Sequence, residues 1–191
     1  EDEPLPACLD RPWITVSRGP PDRGDVGKFV GLWKEREGPD RSACCYYFTL
    51  DDDIVYPKDY VARTLAGLLR YGGRAVVSHH GGTLPERVTS FYGERDTFFF
   101  DRHVGADTAV NIVGTGVSAF KADVMPLQPE DFGTTRAADL HLARKAQAHA
   151  VPMVVLAHSA SWIRDVGAQP TSLWDQEGAD HGFRQQNTEI A

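Results

Sequence analysis

The stretch CCYYFTLDDDIVYPKDYVARTLAGLLRYGGRAVVS, residues 44–78, decides the fold. Cys44 to Leu50 is a continuous apolar and aromatic run of strand length, the pattern expected of a strand buried on both faces. It stops abruptly at three aspartates, Asp51-Asp52-Asp53. Pro57 suits the first turn of a helix, because its missing N–H would have had no helical partner there. That helix is expected to carry Tyr60, Val61, Leu65, Leu68 and Leu69 at three-to-four spacing and to end at Gly72-Gly73. Arg74 to Ser78 then reads as the next strand. Strand, helix and strand in this order predict a βαβ unit with parallel pairing.

The surrounding chain extends the pattern. Trp13 to Ser17 reads as a short strand, followed by a turn-rich loop at Gly19, Pro20, Pro21 and Gly24. Asp25 is placed to cap a helix carrying Phe29, Val30, Leu32 and Trp33. Gly81 to Arg95 looks like loop. Thr97–Phe100, Thr108–Val113 and Val117–Phe120 read as short antiparallel strands, Thr135–His149 as a helix and Pro152–Ala157 as a last strand. Residues 166–191, rich in Gly, Gln, Asp and Asn, read as a tail or a ligand-ordered loop. The whole is one α/β domain without repeats.

Composition narrows the function. The 191 residues carry a net charge of -7 with no run of Lys and Arg, which sets nucleic acid aside as a partner. No apolar stretch approaches the roughly 20 residues that span a bilayer, so no transmembrane segment is expected. An odd count of three cysteines, Cys8, Cys44 and Cys45, argues against a disulfide scaffold. Cys44 and Cys45 read as buried free thiols in or near a strand. The chain starts at Glu1 with neither Met nor signal peptide, which points to a removed start or a fragment.

The chemistry concentrates in Asp51-Asp52-Asp53. Three adjacent carboxylates at a strand end repel one another, so a cation is expected among them. A hard divalent ion with oxygen ligands answers that need. The carboxyl ends of strands in an open α/β sheet are also where ligands bind. A solvated acidic turn or a helix N-cap uses the same residues without function. His79-His80 makes a poor metal pair, because neighbouring strand residues face opposite ways.

The segment YYFTLDDDIVYPKDYV, residues 46–61, resembles the D-x-D region of bacterial family-two-like GT-A glycosyltransferases. GDVGKF (24–29), VGTGVSAF (113–120), AADLHLARKA (137–146) and LAHSASW (156–162) extend the resemblance over residues 12–165. It implies a Rossmann-like, mostly parallel sheet flanked by helices, with residues 1–165 as a partial catalytic domain. The strand–helix–strand unit that holds the nucleotide base in such domains is not found before Trp13, so a further segment or partner domain is expected to supply it.

The same resemblance implies roles. Asp51 would face the nucleotide ribose and Asp53 would coordinate Mn²⁺ or Mg²⁺ on the donor diphosphate, with Asp52 supporting the loop or binding through water. His158 resembles an additional metal or diphosphate ligand; a satisfied core histidine is the plain alternative. Lys28 would reach the diphosphate, against the alternative of a surface lysine. Gly114-Thr115-Gly116 would let the backbone approach the donor sugar, although a tight turn explains these residues as well. Asp139 matches the catalytic base of inverting enzymes, with Asp131 next in line, and an ordinary Asp in a first helical turn is its alternative. His79-His80 would line the acceptor side, and Trp162 would stack on a sugar or sit in the core. The implied partners are a UDP- or GDP-sugar donor and a glycan or glycoconjugate acceptor, in cytoplasmic assembly of bacterial polysaccharide.

Two other readings use the same residues. Asp51-x-Asp53-x-Val55 after an apolar strand fits the nucleophile motif of haloacid-dehalogenase-like phosphatases, though neither a late acidic pair nor a catalytic Lys accompanies it. A non-catalytic sugar- or nucleotide-binding module is the other.

Overall fold

The computed structural model describes residues 6–17, 23–37, 45–91, 93–132 and 137–167. Ten strands and three α-helices follow one another among them. They run α1 (Val30–Glu37), β1 (Tyr46–Leu50), β2 (Ile54–Val55), α2 (Tyr60–Arg70), β3 (Val76–Ser78), β4 (Gly81–Thr83), β5 (Asp96–Phe98), β6 (Thr108–Val110), β7 (Ile112–Val113), β8 (Val117–Lys121), α3 (Ala138–Ala148), β9 (Met153–Val155) and β10 (Arg164–Asp165). A 3-10 helix, Gly24–Phe29, leads directly into α1.

The central sheet has the order β1-β8-β3-β9-β6, with a three-stranded sheet β5-β4-β7 and a β10-β2 pair beside it. The sheet alternates its side chains between two faces, as the strand period of two requires. Val76, Phe120 and Met153 point to one face, where Val26, Phe29, Leu32 and Trp33 meet Ala138, Leu142 and Ala146 of α3. Their neighbours Val77, Ala119 and Val154 point to the other, under Leu68 of α2. Helices therefore cover both faces, and β3, β8 and β9 are buried along their lengths.

Several expectations need correction. The sheet is mixed and mostly antiparallel: β3 and β9 are its one parallel pair. β1 and β3 do point the same way, but β8 lies antiparallel between them instead of letting them pair. β1 is thus an edge strand, with Tyr46 and Leu50 exposed, rather than a strand buried on both faces. Trp13–Ser17 forms no strand, and Trp13 is exposed. The region 81–95 contains β4, which pairs with β5 and β7.

Helix α2 starts later than Pro57, whose carbonyl accepts the Tyr60 amide. Its inward face is Tyr60, Thr64, Gly67 and Leu68, while Val61 and Leu69 turn outward. It ends where Gly72 and Gly73 take positive φ, as read. Helix α3 forms over Ala138–Ala148, and the strands between residues 96 and 121 pair antiparallel, although the strand expected over Thr108–Val113 divides into β6 and β7, which join different sheets. Cys45 is half-buried and Cys8 exposed. Cys44, the loop at Gly19 to Pro21, the start of the expected helix at Thr135 and the tail beyond residue 167 lie outside the described residues.

Candidate functional site

One edge of the central sheet collects the chemistry-bearing residues, and the strand directions explain why. β1, β3 and β9 point the same way, so the residues after their carboxyl ends emerge together: Asp51 after β1, His79-His80 after β3 and His158 after β9. β8 runs the opposite way, so its entry, Gly114-Thr115-Gly116, meets the same edge. The register fixes this, since Leu50 faces Val117 and Ser78 lies between Ser118 and Val155. The amino end of α3 brings in Asp139, whose Oδ1 is held by the loop before β8.

Four of the expected residues form one bonded chain. Lys28 Nζ pairs with Asp51 Oδ1 and stands 3.4 Å from Thr115 Oγ1. Thr115 donates its backbone N–H, at 2.8 Å, and its hydroxyl, at 2.7 Å, to Asp139 Oδ1. Asp139 Oδ2 accepts no hydrogen bond among the described residues. The Lys28 side chain is only 14% exposed, so it is a lysine turned into the site rather than a surface one.

The loops are pinned to each other. The Tyr56 hydroxyl accepts the Asp51 N–H at 2.8 Å and donates to the Gly116 carbonyl at 2.6 Å. Burial, then the neighbouring Asp51, Asp53 and Asp52, hold its pKa above the ordinary phenol value against the Asp51 amide, so it remains a donor. Gly116 lies close against Asp51: a Cβ there would stand 2.1 Å from Asp51 Oδ2, so the carboxylate would have to move to admit one. Gly114 is as tight against the His80 ring, 2.6 Å from its Cδ2.

Asp25 completes the cluster. It sits in the first turn of the 3-10 helix, one turn before Lys28. Its Oδ2 accepts the amide of Ala138, the first residue of α3, at 3.0 Å. Its Oδ1 is buried without a partner among the described residues. Burial above all pushes its pKa up to about 6; Asp139 and Asp51 add to this, while the Ala138 amide and Lys28 oppose it. The sequence reading took Asp25 for a cap and was right in kind, but the helix it caps is α3, not its own. The Asp25–Lys28 spacing of three was the available signal. Tyr56 was missed too; its clue was a hydroxyl-bearing ring set between three aspartates and the proline that precedes α2.

The remaining acidic residues differ. Asp52 is exposed. Asp53 is half-buried, and its pKa is raised by burial first, then by Asp51, Asp52 and Asp165, with its own amide opposing. No cationic side chain pairs with it among the described residues. Among those residues, no group of three His, Cys, Asp or Glu side chains is arranged to hold a metal. Asp51 already has Lys28. Asp131 caps the turn at Gln128 and pairs with Lys145.

The histidines lie in an aromatic wall. His158 is buried, with Nδ1 2.7 Å from the Leu156 carbonyl and Nε2 3.3 Å from that of Phe99. His79 is buried edge-on to His158 and to Trp162, at ring-centre distances of 5.2 and 4.9 Å. Its Nε2 meets the Thr64 hydroxyl at 2.9 Å and its Nδ1 has no partner among the described residues. Burial, followed by His158 and Arg63, pushes the His79 pKa down to about 3, so the ring is neutral at physiological pH. Burial likewise lowers that of His80, which packs against Phe99 and Phe100. Trp162 is half-buried against Tyr60 and His79 and donates to Asp59.

No helix among the described residues is long and apolar enough to cross a membrane. No protein-family model matches the chain, and no curated protein matches it.

Proposed function

We propose that the chain takes part in glycosyl transfer from a nucleotide sugar to a hydroxyl acceptor, with inversion, on a GT-A-type domain. The observation that carries this reading is the bonded chain Lys28–Asp51 and Lys28–Thr115–Asp139, which joins residues from four separated segments at the sheet edge.

The arrangement supplies what such a reaction needs from protein groups. The Oδ2 of Asp139 is left to take the proton of an acceptor hydroxyl. The hydroxyl oxygen then forms its bond to the anomeric carbon from one side. The bond to the diphosphate oxygen breaks on the other, and its electron pair leaves with the diphosphate. Lys28 provides fixed positive charge for that leaving group. The tight glycine turn at 114–116 keeps side chains away from the sugar. Holding Asp139 by two hydrogen bonds to one oxygen fixes the geometry on which a general base depends.

Asp53 pairs with no cation among the described residues, and no three acidic, histidine or cysteine side chains there are arranged around an ion, so a Mn²⁺ or Mg²⁺ ion would need most of its ligands from a diphosphate and water, as Mg²⁺ commonly does. Held there by Asp53, with Asp51 beside it and Asp52 in reach through water, the ion would supply charge neutralisation at the leaving group. His158, with both ring nitrogens near backbone carbonyls, would support the wall rather than the ion. The cytoplasmic setting and the glycan acceptor rest on the resemblance alone.

A thermal-shift panel of UDP- and GDP-sugars with and without Mn²⁺ tests the reading, because a ligand that binds only the folded chain raises its melting temperature. One donor should stand out in the presence of metal. If none does, the transferase reading is lost; binding without turnover would leave a sugar-nucleotide-binding module.

A further inference from the structure

The 3-10 turn Gly24–Phe29 touches both halves of the site. With three residues per turn, Asp25 and Lys28 share a face. Lys28 reaches Asp51 after β1, and Asp25 reaches the first amide of α3. Among the described residues that helix has no local side-chain cap: its N-cap residue, Ala137, offers no side-chain bond. A helix start leaves its first amides without helical partners, and a carboxylate supplies what Ala137 cannot. The cap arrives from 113 residues away and holds the turn that bears Asp139. Asp25 Oδ1 is meanwhile buried with no partner among the described residues, a cost that a residue selected for packing alone would not carry.

We infer that Asp25 is the residue that positions Asp139: by capping α3 at Ala138 it sets where the Asp139 carboxylate stands against Thr115. Lys28 on the same turn then ties that placement to Asp51, so the two carboxylates are held in fixed relation. The role as a positioning residue for catalysis rests on the glycosyl-transfer reading; the placement itself does not.

The test separates the two. The Thr115 amide donates to Asp139 Oδ1, so its hydrogen exchange reports where that carboxylate stands. Asp25→Ala removes the cap, and Asp25→Asn keeps an acceptor oxygen for Ala138. With Asp25→Ala, exchange at Thr115 and Ala138 should speed up by roughly fivefold to tenfold, the range expected for a lost cap. The amides of the β3–β9 ladder should not follow, and Asp25→Asn should restore both reporters. Should Asp25→Ala fail to fold, Asp25→Ser, too short to reach Ala138, takes its place. Unchanged exchange at Thr115 in the Ala or Ser variant overturns the inference, as does loss of protection in Asp25→Asn. In a transfer assay, Asp25→Ala should lower kcat by at least about tenfold with nucleotide affinity within a few-fold, and Asp25→Asn should recover most of the rate. Absence of transfer by the wild type would count against the glycosyl-transfer reading alone, since the amide result decides the positioning on its own.

Discussion

Replacing Asp25 with Asn should stabilise the protein at neutral pH and do little at pH 4. Burial is the main reason the Asp25 carboxyl ionises only at about 6, against 3.8 for an unperturbed Asp. The unfolded chain therefore loses this proton first, and folding becomes less favourable as pH rises between those two values. Below 3.8 both states are protonated and the penalty vanishes; above about 6 it is fully present. At about 1.36 kcal/mol per pKa unit, a shift of this size corresponds to roughly 3 kcal/mol. Partial solvent contact and the retained Ala138 bond make about 1–3 kcal/mol the expected gain. Asn keeps the shape and the acceptor oxygen, so it isolates the charge. Urea unfolding of wild type and variant at pH 4 and pH 7.5 measures the effect as a difference of differences, which cancels titrations common to both proteins. The facing charges are Asp139 on α3, Asp51 after β1 and Lys28 on the same turn. If Lys28 in fact held Asp25 ionised, Asn would destabilise at pH 7.5, and the whole account of the buried oxygen would be refuted.

Other perturbations test other parts of the site. Asp139→Asn should cut transfer by at least about 10²-fold while donor affinity stays within a few-fold, measured by steady-state kinetics beside calorimetry; near-normal transfer would remove it as the base. Asp53→Ala should leave the fold intact and abolish the metal dependence of UDP or GDP binding in calorimetry, and an unchanged metal dependence would mean the ion sits elsewhere. Gly116→Ala meets no backbone obstacle, since its φ is not positive, but its methyl would have to displace the Asp51 carboxylate 2.1 Å away. A stability loss of about 1–3 kcal/mol and weaker nucleotide binding are expected, and thermal melts with no shift would show that Asp51 does not pack there.

What the sequence made legible was local. The apolar run that stops at Asp51, the helix closed by Gly72-Gly73 and the helix carrying Asp139 follow from period and punctuation, and the structure has an element at each, though the first is an edge strand and the second begins only at Tyr60. What misled was pairing. The succession of β1, α2 and β3 is what a parallel neighbour pair would show, and the chain order holds no mark that β8, forty residues on, enters between them. The same insertion explains the site. An antiparallel strand there places its entry, not its exit, at the edge where β1, β3 and β9 end, which is how Thr115 reaches Asp139. Asp25 illustrates the other gap: a capping residue announces that it caps, but not which helix, when the partner lies 113 residues away. His158 was expected as a ligand through the resemblance and His79 as lining the acceptor side; in the fold both are buried, His79 against Tyr60 and Trp162 and His158 with its ring nitrogens near the Leu156 and Phe99 carbonyls.

The ion pair between Lys28 and Asp51 bears on how metal and nucleotide would depend on each other under the proposed reading. With no phosphate present, Lys28 is the cation that Asp51 has, and the lysine has little freedom to leave because it is largely buried. A diphosphate carries more negative charge than one carboxylate, so it would compete for the same ammonium. If Lys28 turned to the phosphates, Asp51 would lose its counter-charge beside Asp53, whose ionisation that neighbour already opposes. A divalent cation would then relieve both carboxylates and the phosphates at once. Metal would therefore bind weakly without nucleotide, and nucleotide weakly without metal, because each removes the penalty that the other creates. The reciprocity of linked equilibria makes this measurable from either side: the factor by which Mn²⁺ tightens UDP must equal the factor by which UDP tightens Mn²⁺. Lys28→Met, which keeps the length and removes the charge, should shrink that common factor by freeing Asp51 in advance, and tighten Mn²⁺ alone. Unaltered Mn²⁺ affinity in that variant would mean that Lys28 is not what keeps the ion out.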